Sequence, residues 1–178
     1  MNKNEVARYF NVLSKLFPHP CTVILTGAGA GAVYGRVRAT MDLDFALKLE
    51  KDSSSKTKQW QEFETASKEA ALRTGIVAQY AEDIDRWSLI TYLDYENHAI
   101  PFRRFGSLNV KLLEPCYWAI GKLARYLDPD VRDLIDVLKR TGTRPEVLSP
   151  ILGTALKKSP KSTACYLFRR QVEDFFRS

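Results

Sequence analysis

A chain of 178 residues with 45% hydrophobic content can fold as one domain with a real core, or as a domain carrying a small helical appendage. No apolar run approaches the roughly 18 residues that a membrane span needs, so no membrane partner is expected. The net charge of +6 favours an anionic partner without naming nucleic acid, and three scattered cysteines (Cys21, Cys116 and Cys165) suit neither a disulfide framework nor a zinc pattern.

The first residues lead into an amphipathic segment without the hydrophobic region of a signal peptide. With the cysteine usage, this gives a cytoplasmic protein as the expectation. Residues 4–16 place Val6, Tyr9, Phe10, Leu13 and Leu16 at three- and four-residue spacing, which predicts a helix that Pro18 and Pro20 stop. Cys21 to Leu25 is an apolar strand run ending at Thr26-Gly27. The small-residue stretch 28–35 predicts a helix packed closely over a sheet, and Met41 to Leu49 predicts the second strand. Residues 56–74 carry Trp60, Phe63, Ala66, Ala70 and Ala71 along one helical stripe. Ile76 to Tyr80, Trp87 to Tyr95 and Leu108 to Leu113 read as strands between polar or Pro/Gly-containing turns.

From Glu114 onward the spacing is helical. Pro115 suits a first turn, and Trp118, Leu123, Tyr126 and Leu127 supply an apolar side. Asp128-Pro129-Asp130 ends that helix and begins another, striped by Val131, Leu134, Ile135 and Leu138. Two further helices follow Arg144 and Ser159. The expected class is therefore α+β: a sheet-containing core over 1–113, and a helical C-terminal region over 114–178 packed on it as one unit.

Within the core, Asp42 and Asp44 occupy alternate positions of one short strand, fifteen residues after Gly27. Alternation sends both carboxylates to one side while Leu43 and Phe45 face the core. Paired carboxylates repel, and a divalent cation or cationic partner relieves that cost. Glycines close by let backbone N–H groups approach a phosphate. Together these features point to a metal–nucleotide site. The glycine and alanine cluster has a competing use in tight packing, and Asp42 and Asp44 have one as an exposed strand face.

A glycine turn at a strand end, followed by Asp-x-Asp on the next strand, resembles the DNA polymerase β-type nucleotidyltransferase superfamily. The longer phrase from Gly27 to Phe45, with Tyr34-Gly35-Arg36, Arg38-Ala39-Thr40 and Asp42-Leu43-Asp44, is similar to minimal nucleotidyltransferase-like proteins around the AbiEii and MenT toxins. Trp118 to Leu127, with Arg132-Asp133-Leu134-Ile135-Asp136, is similar to a helical Lys-Leu…Arg…Asp-x-x-Asp region of that group.

That resemblance implies a polymerase β-type mixed sheet with helices. It also implies two Mg²⁺ ions on Asp42 and Asp44 holding a nucleoside triphosphate. Gly27, Ala28 and Gly29 would receive the triphosphate, although Ala28 stands where the family's turn carries Gly or Ser. Arg38 and Thr40 would orient the aspartates or contact phosphate. Lys122 and Arg125, on one helix face at i and i+3, would neutralise phosphate charge or instead pair with Asp133 or Asp136. The third acid is assigned first to Asp94, with Asp83 and Asp85 as alternatives and Ser88 nearest the family's position. The implied reaction moves a nucleoside monophosphate to a hydroxyl of a tRNA end or of a protein, in a toxin–antitoxin or phage-defence setting with a cognate toxin or antitoxin. The alternative is a non-catalytic module of the same fold that binds nucleotide or RNA, or acts as an antitoxin-type partner.

Lys157, Lys158, Lys161, Arg169, Arg170 and Arg177 concentrate positive charge near the C-terminus, as a solvated helical face or as a surface for RNA.

Overall fold

The computed structural model describes residues 1–35, 42–49 and 55–177. Among them, eight α-helices and a five-stranded mixed sheet divide into two units. The architecture is α+β.

The first unit comprises Met1–Asp83 and Ala99–Leu112. Helix α1 (Lys3–Leu16) starts with a capping box. Asn2 Oδ1 accepts from the N–H groups of Asn4 and Glu5 at 2.9 and 3.1 Å, and Glu5 Oε2 accepts from Asn2 N at 2.7 Å. Such a cap contributes about 1 kcal/mol by satisfying donors that have no partner within the helix. The helix buries Val6, Tyr9, Phe10 and Leu13.

Strand β1 (Cys21–Thr26) lies at the centre of the sheet, whose order is β3-β2-β1-β5-β4. It pairs antiparallel with β2 (Asp42–Leu49) and parallel with β5 (Leu108–Leu112). Strand β3 (Val77–Ala81) joins β2 in parallel, and β4 (Ile100–Phe105) joins β5 antiparallel. Register places Leu25 opposite Phe45 and Val23 opposite Leu47, so one face of the sheet is continuously apolar. Helix α1 and helix α3 (Lys56–Thr74) cover it. The rings of Phe10 and Phe63 meet Phe45 at 5.9 and 6.1 Å, and Tyr80 stacks on Phe45 at 5.4 Å. Helix α3 ends at Gly75, whose φ of +71° is a left-handed cap.

The second unit comprises Ile84–His98 and Leu113–Ser178. It is helical: α4 (Tyr95–His98), α5 (Pro115–Arg125), α6 (Asp128–Thr141), α7 (Pro145–Lys158) and α8 (Thr163–Arg177). The Glu114 carboxylate caps α5 by accepting from Cys116 N at 2.8 Å, with Pro115 in the first turn. The sequence boundary between 113 and 114 falls beside this unit's Leu113, and Ile84–His98 groups with the helices that follow.

Two readings of the sequence need correction. Trp87 to Tyr95 is not a strand. Residues Ile84–Trp87 form a 3₁₀ turn, and the next residues give their backbone donors to nearby side chains. Asp85 Oδ1 accepts from Tyr92 N at 2.7 Å, Ser88 Oγ from Ile90 N at 3.0 Å, and Thr91 Oγ1 from Leu93 N at 3.0 Å. Local acceptors of this kind compete with a sheet ladder. Leu93, at φ +59°, leaves the extended region altogether. Conversely, Ile100–Phe105 is a strand although Pro101 and two arginines disguise it. It lies at the sheet edge with its register broken between Pro101 and Arg103, where a missing N–H is tolerated.

Candidate functional site

Strand β2 carries the acidic pair. Leu43, Phe45 and Leu47 are fully buried on the helix-covered face, so Asp42 and Asp44 share the other face; Asp42 is exposed and Asp44 half-buried. The register pairs Asp44 with Thr26, the last residue of β1. Gly27 follows at φ +55° and turns the chain into α2 (Gly27–Val33). A Cβ placed on Gly27 would stand 2.1 Å from Asp44 Oδ2, well inside any real contact. Glycine is therefore required twice over, by the left-handed backbone and by the carboxylate lying against the bend. Strand pairing brings Gly27 and Asp44 together.

Gly29 serves packing. Its added Cβ would meet Leu43 Cδ2 at 2.7 Å and Leu25 Cδ2 at 3.4 Å, so the bare backbone lets α2 settle on the sheet. Ala28, between the two glycines, is half-buried. Arg38 and Thr40 lie outside the described residues.

The donor set bears directly on which ion fits. Two hard-oxygen carboxylates at alternate positions of one strand suit Mg²⁺, which commonly uses one or two carboxylates and takes its remaining ligands from phosphate and water. Among the described residues no group of three or more His, Cys, Asp or Glu is arranged to hold a metal ion. Asp42 and Asp44, on one face of β2, are the carboxylates that could hold such an ion.

Asp94 belongs to the second unit and stands just before α4, not on a strand. Its side chain is exposed. His98 Nε2 lies 3.3 Å from Asp94 Oδ2, and the Tyr117 hydroxyl donates to Asp94 Oδ1 at 3.5 Å, with the His98 and Tyr117 rings stacked at 4.9 Å. A hydrogen bond from its own backbone, aided by His98 and Tyr117, holds the Asp94 carboxyl below its ordinary range. Burial, and next the Asp94 charge, push Tyr117 up to about 12.

Lys122 and Arg125 are both engaged within the helical unit. Lys122 is only 3% exposed. Its Nζ donates to Asp130 Oδ1 at 2.8 Å and Asp133 Oδ2 at 3.0 Å, and sits 4.9 Å from the centre of the Trp118 ring. Arg125 reaches the same Asp130 oxygen at 2.6 Å from a more exposed position. The pairing with Asp133 foreseen from the sequence is thus present. Asp130, which the sequence reading used only as a helix start, joins both cations. Its signal was available: Asp130 and Asp133 are three apart on the same helix, so they present both carboxylates on one side.

Thr26 was not singled out from sequence, though it is 8% exposed and directly opposite Asp44. Its position before Gly27 at a strand end was the available signal.

No family model, curated protein or solved structure matches the chain.

Proposed function

We propose that this chain is a Mg²⁺-dependent nucleotidyltransferase of the polymerase β type, transferring a nucleoside monophosphate from a nucleoside triphosphate to a hydroxyl of an RNA end or of a protein. The observation that carries this reading is the approach of the Asp44 carboxylate to the Gly27 bend, with Asp42 on the same strand face. A polyphosphate resting on that bend would meet two carboxylates, and like charges at such range repel strongly unless a cation stands between them. A divalent ion shared by the acid pair and the phosphate would relieve that repulsion.

In this reading Asp42 and Asp44 hold the metal, and Gly27, by presenting no side chain, lets the Asp44 carboxylate lie against the bend. Bound Mg²⁺ would neutralise phosphate oxygens and support an in-line displacement. The acceptor oxygen forms a bond to the α-phosphorus, the α–β bridging P–O bond breaks, pyrophosphate leaves with that electron pair, and the hydroxyl proton passes to water. Within the helical unit Lys122 pairs with Asp130 and Asp133, and Arg125 with Asp130.

The test is incubation of the protein with labelled nucleoside triphosphates, Mg²⁺, tRNA and candidate protein acceptors, beside Asp42→Ala and Asp44→Ala. Label transferred by the wild type and lost in both variants supports the proposal. Equal labelling by all three removes these residues from the reaction. Calorimetric binding of Mg²⁺ and nucleotide without transfer to any acceptor would favour the non-catalytic module, acting as a nucleotide-binding or antitoxin-type partner.

A further inference from the structure

The segment from Lys157 to Arg177 contains six basic and two acidic residues, so it carries +4 of the chain's net +6. All six (Lys157, Lys158, Lys161, Arg169, Arg170 and Arg177) are exposed. Among the described residues none of their side chains makes a hydrogen bond or ion pair. The contrast with α3 is direct. There Lys58, Lys68 and Arg73 each pair with a glutamate four residues earlier or later, at Glu62, Glu64 and Glu69. Cations on α3 are compensated internally; those on α7 and α8 are not.

One contact brings the two helices together near the lysines. Cys165 Sγ donates to Leu156 O at 3.5 Å, which sets the first turn of α8 against the last turn of α7, where Lys157 and Lys158 sit. Phe168 is fully buried and anchors α8. Tyr166, Arg169 and Arg170, at i, i+3 and i+4, therefore share an outward stripe that Glu173 and Arg177 continue. Tyr166 is 62% exposed, with Arg169 and Arg170 one helical turn further on. Lysines in the last turn of α7 have an ordinary use in compensating the helix dipole. That use does not reach Lys161 in the connection or Arg169 and Arg170 in mid-helix.

We propose that this α7–α8 surface binds an unpaired nucleic-acid strand, the cations tracking its phosphates and Tyr166 stacking on a base. Single strands are held by such a combination of basic track and aromatic platform. A membrane surface fits less well, because α8 has already placed Phe168 inside its own unit. The surface stands independently of the Gly27–Asp44 reading.

The experiment is fluorescence anisotropy of the full-length protein with a labelled mixed-sequence RNA strand of about 20 nucleotides, between about 50 and about 300 mM salt. Arg169→Gln with Arg170→Gln should weaken binding at least about tenfold and flatten the log–log salt slope by about 1.4, because each single-strand phosphate contact contributes about 0.7. Tyr166→Ala should cost at least about fivefold with little change in slope, and Tyr166→Trp should restore affinity. Lys68→Gln with Arg73→Gln removes the same charge elsewhere and should leave affinity near that of the wild type. Asp42→Ala with Asp44→Ala should also bind normally, which separates this surface from the catalytic proposal. Four results would overturn it: no binding at the lowest salt, equal loss in the α3 control, equal affinity for duplex or polyglutamate, or preferred binding to anionic lipid vesicles.

Discussion

Gly27 and Asp44 leave no room for a side chain between them: a Cβ on the first would lie 2.1 Å from Oδ2 of the second. Alanine at position 27 must therefore both occupy a left-handed backbone and push the carboxylate aside. Gly27→Ala should destabilise the fold by about 1–3 kcal/mol and displace Asp44 from the bend. Urea unfolding measures the first effect and calorimetry with Mg²⁺ and a nucleoside triphosphate the second. Unchanged stability together with unchanged binding would show that the close approach is not maintained in solution.

Lys122 and Arg125 share the Asp130 carboxylate from very different surroundings. Breaking a buried pair leaves an uncompensated charge, so Lys122→Met should cost about 3–5 kcal/mol. Arg125 is largely exposed, and Arg125→Gln should cost no more than about 1 kcal/mol. Combining Lys122→Met with Asp133→Asn should cost less than the sum of the two single changes, because one substitution removes the other's orphaned partner. Denaturant midpoints of the four variants, Asp133→Asn alone among them, decide it. Equal small losses for Lys122 and Arg125 would mean that water reaches the ammonium group.

Much of this arrangement was legible in the sequence where one physical rule acts alone. Helix α3 is marked by its apolar stripe, and β2 by the alternation of Leu43 and Phe45 with Asp42 and Asp44. The glycine turn and the acidic strand were legible one by one, whereas the antiparallel register that sets Asp44 against Gly27 comes from strand pairing that spacing does not specify. The misreadings came where two rules compete. Trp87 to Tyr95 has the composition of a strand, but Asp85, Ser88 and Thr91 capture its backbone donors locally. Ile100–Phe105 has the geometry of a strand, but Pro101 hides it until its edge position is known. Spacing puts Asp130 and Asp133 on one side of α6 but does not say which cations they meet. Asp130 thus reads as a helix start, while its carboxylate accepts from both Lys122 and Arg125.

Tyr9 gives the fold a sensitivity to alkali. Its ring is fully buried in α1 and its hydroxyl hydrogen-bonds with Ser67 Oγ at 2.9 Å. Burial raises its pKa from 10.0 to about 12, outweighing the lowering effect of Ser67. The folded state favours the neutral phenol, so this contribution is complete below pH 10.0 and is lost as pH rises toward about 12. Tyr9→Phe should lower stability at neutral pH by about 1 kcal/mol through the lost hydrogen bond, yet flatten the alkaline decline. Denaturant midpoints measured across that window should show the two curves converging. Parallel curves would assign the alkaline loss to other groups.

Asp94 and Tyr117 perturb one another in opposite directions. The phenol donates to the carboxylate, which lowers the pKa of Asp94 and raises that of Tyr117. Because the folded Asp94 pKa is depressed, its small contribution to stability is present above the unfolded value and disappears as pH falls through the folded one. The two residues differ in what dominates. For Asp94 the largest cause is a hydrogen bond from its own backbone, so Tyr117→Phe should move the carboxyl only part of the way back toward its ordinary value. For Tyr117 burial dominates, so Asp94→Asn should lower the phenol from about 12 without restoring ordinary behaviour. Carboxyl titration by NMR and tyrosinate absorbance follow the two sides of the pair. A full return to ordinary titration in either variant would mean that the partner, not backbone or burial, controls that group.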